Sequence, residues 1–93
     1  MKYYILKYYL VDDYLERRSK YREEHLKLAE ELHQKGKLIF GGALTEPIDE
    51  ALLVFYLGDK SLIEDFISKD PYVKNGLVIK WEIREWIVVI GKN

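Results

Sequence analysis

The segment KYYILKYYLV, residues 2–11, constrains the fold more than any other part of the chain. Its aromatic, β-branched and leucine content favours a strand. Laid out with alternating side chains, Tyr3, Ile5 and Tyr9 fall on one side, and Tyr4, Leu6, Tyr8 and Leu10 on the other. An antiparallel sheet with one solvated face alternates apolar and polar residues. Here both sides are apolar, and ALLVFY at 51–56 repeats the pattern. Both faces of the sheet therefore need cover, which a chain of 93 residues supplies most simply by pairing with a second copy in a two-fold dimer.

Turn and cap residues divide the chain into alternating elements. Asp12 and Asp13 offer N-cap oxygens for a helix from Tyr14 to about Lys35, which stops at Gly36. KLIFGGAL, residues 37–44, reads as a second strand that loosens at Gly41 and Gly42, TEPIDE as a loop, and ALLVFYLG at 51–58 as a third strand. Ser61 with Glu64 spells a capping box for a helix to about Ser68. KDPYVKNG adds a short helical turn with a glycine stop, and a long strand runs from Leu77 to Ile90. In that strand Trp86 shares parity with Lys80, Glu82 and Arg84, which a bulge near Arg84–Glu85 or a strand leaving its own sheet to pair with a neighbour would explain, and both fit an extended C-terminal arm at a subunit boundary. The order β-α-β-β-α-β predicts a ferredoxin-like α+β domain over residues 1–93, with a four-stranded antiparallel sheet and two helices on one face.

Composition removes several function classes. With 15 basic and 16 acidic side chains the chain has no basic footprint for nucleic acid. It has no cysteine, which excludes disulfides, thiolate catalysis and Cys-ligated zinc. No apolar run reaches the ~18 residues of a membrane span, and the N-terminus is too short and lysine-interrupted for a signal peptide, so a cytoplasmic protein is expected. There is no HExxH pattern, nucleophile elbow or phosphate-binding glycine motif, so neither metal nor cofactor is expected.

Within the first helix, YREEHLKLAEEL carries one misfit. At 100° per residue, Tyr14 and Leu32 lie about 20° to one side of His25 and Arg18 about 20° to the other. Tyr21, Leu28, Ala29 and Arg22 fall within about 60°, while Glu16, Glu23, Lys27 and Gln34 lie opposite. His25 and Arg18 thus point at the buried face with Arg22 at its edge, where unpaired charge is costly. One reading is a core histidine bonded to a backbone carbonyl, with arginines reaching out to water. The other is a polar pocket in which His25 acts as an acid–base group. Asp70 before Pro71 reads as an N-cap whose carboxylate could also orient an imidazole, and Tyr72 could add a phenol. His33 sits at about 80°, on the border of the face. Gly41 and Gly42 allow a bulge or close approach of a ligand to the backbone.

RxxH at Arg22–His25, GKLIFGGAL at 36–44 and DPYVKNG at 70–76, in this order across almost the whole chain, resemble the YciI-like (YCII-related) proteins. In this sequence GGAL stands where those relatives often carry a proline after the glycine. The resemblance implies a ferredoxin-like dimer of the α+β barrel type, its sheets face to face, with a His–Asp acid–base pair in a cleft. On matching positions His25 is the histidine and Asp70 the aspartate, and Arg22 lies one turn before the histidine. Related folds that dehalogenate hydroxylated aromatics or isomerise muconolactone suggest a small cyclic or anionic organic substrate. The expected function is cofactor-free isomerisation, elimination or dehalogenation. Arg22, Arg18, Tyr72 and Gly42 are the candidate ligand contacts. A small-ligand-binding dimer without catalysis and a purely structural polar network are the alternatives.

Overall fold

The computed structural model describes residues 1–91. Strand β1 spans Lys2–Leu10, helix α1 Tyr14–Arg17, helix α2 Arg22–Gln34, strand β2 Leu38–Ala43 and strand β3 Glu50–Leu57. Helix α3 (Ser61–Lys69), helix α4 (Pro71–Lys74) and strand β4 (Val78–Trp86) follow. The strands form one antiparallel sheet in the order β2-β3-β1-β4, giving an α+β fold with β1 and β3 at its centre.

The two sides of β1 have different neighbours. Tyr4, Leu6, Tyr8 and Leu10 are buried beneath the helices, together with Leu53, Phe55 and Leu57 of β3 and Ile63, Phe66 and Ile67 of α3. The Phe55 and Phe66 rings meet edge to face, 5.9 Å apart, and tie sheet to helix. Tyr3, Ile5, Lys7 and Tyr9 face the other way and are only half-buried, as are Leu52, Val54 and Tyr56 opposite them. On this open face Lys7 pairs with Glu50 at 3.1 Å, and the Tyr9 hydroxyl donates to Glu82. Phe40, on the edge strand β2, is 72% exposed.

The expected helix 14–35 is interrupted. Arg18–Lys20 form a 3₁₀ turn, and Tyr21 (φ −113°, ψ −2°) stands at the edge of the right-handed helical region before α2 begins. No proline or glycine marks this break. Arg18 and Arg22 would stand one turn apart in a continuous helix, an unfavourable like-charge pair, and Arg17 is drawn aside to donate to the Asn75 carbonyl at 2.8 Å. Nor does the capping box at Ser61 form. Asp59 instead accepts from both the amide and the hydroxyl of Ser61, closing an Asx turn ahead of α3.

The last strand is shorter than expected and its irregularity lies elsewhere. Pairing shifts between Tyr9 and Leu10, which face Lys80 and Val78, so the extra residue is Ile79 rather than one near Arg84–Glu85. Beyond it the alternation is unbroken: Trp81, Ile83 and Glu85 oppose Tyr8, Leu6 and Tyr4, while Trp86 opposes Tyr3 on the open face. The strand ends at Trp86 because β1 has almost run out of residues to pair with, and Ile87, Val89 and Ile90 extend beyond it exposed.

Candidate functional site

The Asp70–Pro71 dipeptide builds the centre of the site. Proline disfavours the helical conformation in the residue before it, so Asp70 leaves α3 extended (φ −68°, ψ 119°). Proline then starts α4 at its first position, where a missing N–H is harmless. The Asp70 carboxylate folds back as N-cap and accepts from the Tyr72 amide at 3.0 Å. Its side chain is fully buried, and it accepts two further hydrogen bonds, from the Tyr8 hydroxyl to Oδ2 at 2.8 Å and from His25 Nδ1 to Oδ1 at 2.8 Å. Three donors on one carboxylate satisfy a group that would otherwise be costly to bury.

His25 sits in the first turns of α2, where its amide bonds to the Tyr21 carbonyl. Its side chain is 14% exposed. The imidazole stacks on the Tyr72 ring with centroids 3.9 Å apart and planes inclined by 10°, and meets Phe66 edge to face. A carboxylate can only accept, so an unprotonated ring places its N–H on Nδ1 and leaves the lone pair on Nε2. Among the described residues Nε2 has no hydrogen-bond partner.

The ring lines a cavity of about 840 Å³ between α2 and β2. Leu10, Ala29, Leu38 and Leu53 give it apolar walls, while Tyr8, Tyr14, Arg18, Arg22, His25 and Tyr72 bring polar groups to it. Arg18 also lies over the Tyr14 ring, 5.5 Å from its centroid. Tyr72 is 2% exposed, and its hydroxyl has no well-formed partner among the described residues, although the Arg22 guanidinium approaches it as a donor. Burial and then Tyr14 push its phenol above the ordinary value, and the guanidinium groups of Arg22 and Arg18 oppose this. Tyr8 is pushed up more strongly, by burial first and then by the Asp70 charge.

The sequence-predicted residues separate on this map. His25, Asp70 and Tyr72 are in direct contact, and Arg18 and Arg22 border the same cavity. Gly42 lies on its β2 wall, but it opposes Leu52 and so shares the open face, leaving only its backbone to the cavity. Its neighbour Gly41 opposes Leu53 and is the glycine facing the helices. His33 is tied down structurally, with Nδ1 donating to the Leu38 carbonyl at 2.8 Å. Tyr8, the second side-chain donor to Asp70, was not singled out in the sequence. Its one signal there is a phenol on the buried side of β1, which calls for a partner and which it shares with Tyr4.

The family model of the YCII-related domain matches residues 1–87. No curated protein matches the chain. Among solved structures it is similar to 5-chloro-2-hydroxyhydroquinone dehydrochlorinase (TftG) from Burkholderia phenoliruptrix AC1100, in complex with 2,5-dihydroxybenzoquinone. The TM-score is 0.78 at 19% identity, covering 91% of this chain and 93% of that one. It is also similar to the protein Atu4242 from Agrobacterium tumefaciens, with TM-score 0.61, 16% identity and coverage of 97% and 95%. At these identities the likeness is one of fold, and the family match over residues 1–87 carries the assignment: the chain belongs to the YCII-related domain family.

Proposed function

We propose that the cavity is the site of a small acid–base enzyme, with His25 as the proton-transferring group and Asp70 as the residue that orients it. The observation that carries this reading is the imidazole itself. Nδ1 is held by a buried carboxylate, Nε2 has no partner among the described residues, and the ring borders a cavity. Asp70 fixes the tautomer in which Nε2 is basic, and it stabilises the imidazolium once Nε2 has taken a proton. Arg22 and Arg18 hold an anionic group of the substrate, Tyr72 contributes its phenol, and the backbone at Gly42 closes the far wall. Moving a proton between substrate atoms, or removing one as a leaving group departs, needs no electron carrier. The reaction class is therefore isomerisation, elimination or dehalogenation. Likeness to a dehydrochlorinase in complex with a dihydroxybenzoquinone supports a small, cyclic, oxygenated substrate.

The reading extends to the assembly. The strand order β2-β3-β1-β4 suits a ferredoxin-like arrangement, and the open face suits a two-fold dimer with the sheets packed together. Half-buried Ile5, Leu52 and Val54 and exposed Trp86 are the side chains such a partner would cover.

The test is proton exchange. The protein is incubated in deuterium oxide with a panel of cyclic hydroxyketones, lactones and hydroxyquinones, and each compound is followed by NMR. Exchange or turnover with the wild type, lost in His25→Gln, is the expected result. Exchange that survives in His25→Gln removes His25 from the role. Compounds that raise the melting temperature but never exchange would make the site a binding site without catalysis.

A further inference from the structure

A fully buried hydroxyl ordinarily has a partner, because leaving it unpaired costs stability compared with a phenylalanine of the same shape. Among the described residues the Tyr72 hydroxyl has no well-formed partner, and the Arg22 guanidinium, which approaches it, can only donate, so the Tyr72 O–H itself has no acceptor. Its ring is fixed on both sides, stacked on His25 and edge to face with Tyr14 at 5.7 Å, so it has little freedom to turn away. Tyr72 and His25 line the same cavity, and their rings are parallel and in contact, which brings the phenol and Nε2 within the span of one small molecule. A phenol is protonated at neutral pH, burial pushes it further from ionising, and in that form it is a donor.

We propose that the Tyr72 hydroxyl donates a hydrogen bond to the oxyanion formed during the reaction, so that the substrates of this cavity are carbonyl compounds carrying an acidic C–H beside the carbonyl. This rests on the reading of His25 as the base. Nε2 takes the proton as the C–H bond breaks. The released electron pair forms the carbon–carbon double bond, and the carbonyl π pair moves onto oxygen. That enolate oxygen accepts from Tyr72, with Arg22 and Arg18 nearby to favour negative charge, and Asp70 stabilises the imidazolium. Where the enolate is conjugated to a further double bond, return of the proton to the far carbon gives an isomer. Collapse of the enolate with expulsion of an anion from the neighbouring carbon gives elimination. The apolar walls at Leu10, Leu38 and Leu53 fit the flat body of such a molecule.

The test uses 4-nitrophenolate, a flat ring with one delocalised oxyanion whose colour reports its surroundings, alongside nitrobenzene, the same ring without the oxyanion. Wild type should bind the phenolate with a shifted absorption band. Tyr72→Phe should bind it roughly 10- to 100-fold more weakly, the size of one hydrogen bond to a charged acceptor, while nitrobenzene binding should be equal in both proteins. Tyr72→Phe should melt close to or above the wild-type temperature, because the O–H removed has no acceptor and the Arg22 guanidinium makes no well-formed bond to it. Equal phenolate affinity in the two proteins, or no preference of wild type for phenolate over nitrobenzene, overturns the proposal. A melting temperature well below wild type overturns it too, by making the hydroxyl structural. Probe binding is read without turnover, so this test fails separately from deuterium exchange. Tyr72-independent binding with His25-dependent exchange removes the donor alone. Tyr72-dependent binding with His25-independent exchange supports the donor and removes the base.

Discussion

Replacing Asp70 with asparagine keeps the shape of the side chain and removes its charge, which isolates what the buried carboxylate contributes. In the native protein Oδ1 accepts from His25 and from the Tyr72 amide, and Oδ2 accepts from Tyr8. In Asp70→Asn the amide oxygen can keep the first two partners, but as neutral hydrogen bonds. The Nδ2 group meets the Tyr8 hydroxyl, which must turn and accept. A hydrogen bond to a charged group contributes about 1.5–3 kcal/mol and a neutral one about 0.5–1.5, so each of the three weakens by roughly 1 kcal/mol. Easier burial of a neutral amide offsets part of the sum, leaving a loss of about 2–3 kcal/mol. For a domain of this size that lowers the melting temperature by on the order of 10–20 °C. It is also a large share of a total stability of about 5–15 kcal/mol. Urea unfolding followed by circular dichroism gives the number directly. A loss under about 0.5 kcal/mol, the range of an inert surface change, would refute the view that the charged network holds α2 and α4 to the sheet.

Four other outcomes follow from the same structure. The Tyr8 phenol is pushed above its ordinary value by burial and by Asp70, so its contribution is present below about pH 10, the unfolded tyrosine range, and is lost as pH rises above it. Urea unfolding from neutral to alkaline pH should show stability falling there and a flatter profile in Tyr8→Phe; matching profiles in the two proteins would contradict this assignment. Gly76 has φ +75°, so Gly76→Ala should cost about 1–2 kcal/mol by thermal melting, and an unchanged melting temperature would show that the turn relaxes freely. Gly42→Ala meets nothing within 4 Å and should melt within a few degrees of wild type, whereas a large drop would mean that the β2 wall is tighter than its geometry indicates. Val54→Glu on the open face should convert a dimer to monomers in sedimentation velocity, and a wild type that sediments as a monomer would remove the proposed assembly.

Alternation and turn residues in the sequence were enough to order the elements. Apolar runs marked β1 and β3, glycine marked the end of α2, and Asp-Pro marked the boundary between α3 and α4. The helical angle of His25 pointed it at the sheet. Asp70 was legible as a cap, and its place beside His25 came from the family resemblance rather than from spacing. What stayed hidden depended on tertiary contacts. The break at Arg18–Tyr21 carries no proline or glycine and involves Arg17 reaching Asn75, far along the chain. The bulge at Ile79 belongs to the register between β1 and β4, which neither strand specifies alone. Tyr8 read as one more core residue, because a hydroxyl in an apolar stripe gives no hint of an acceptor 62 positions away. That the Tyr72 O–H finds no acceptor among the described residues is likewise visible only once the packing around it is complete.

The measurement that tests the central claim most directly is a long-range proton–nitrogen NMR spectrum of His25, recorded where the ring is neutral, in wild type and in Asp70→Ala, which leaves Nδ1 no acceptor. The arrangement predicts a protonated Nδ1 and a bare, basic Nε2 in wild type, with the proton redistributed toward Nε2 once the carboxylate is gone. A wild-type ring protonated on Nε2, or a tautomer indifferent to Asp70, would contradict the account by leaving no oriented base at the cavity.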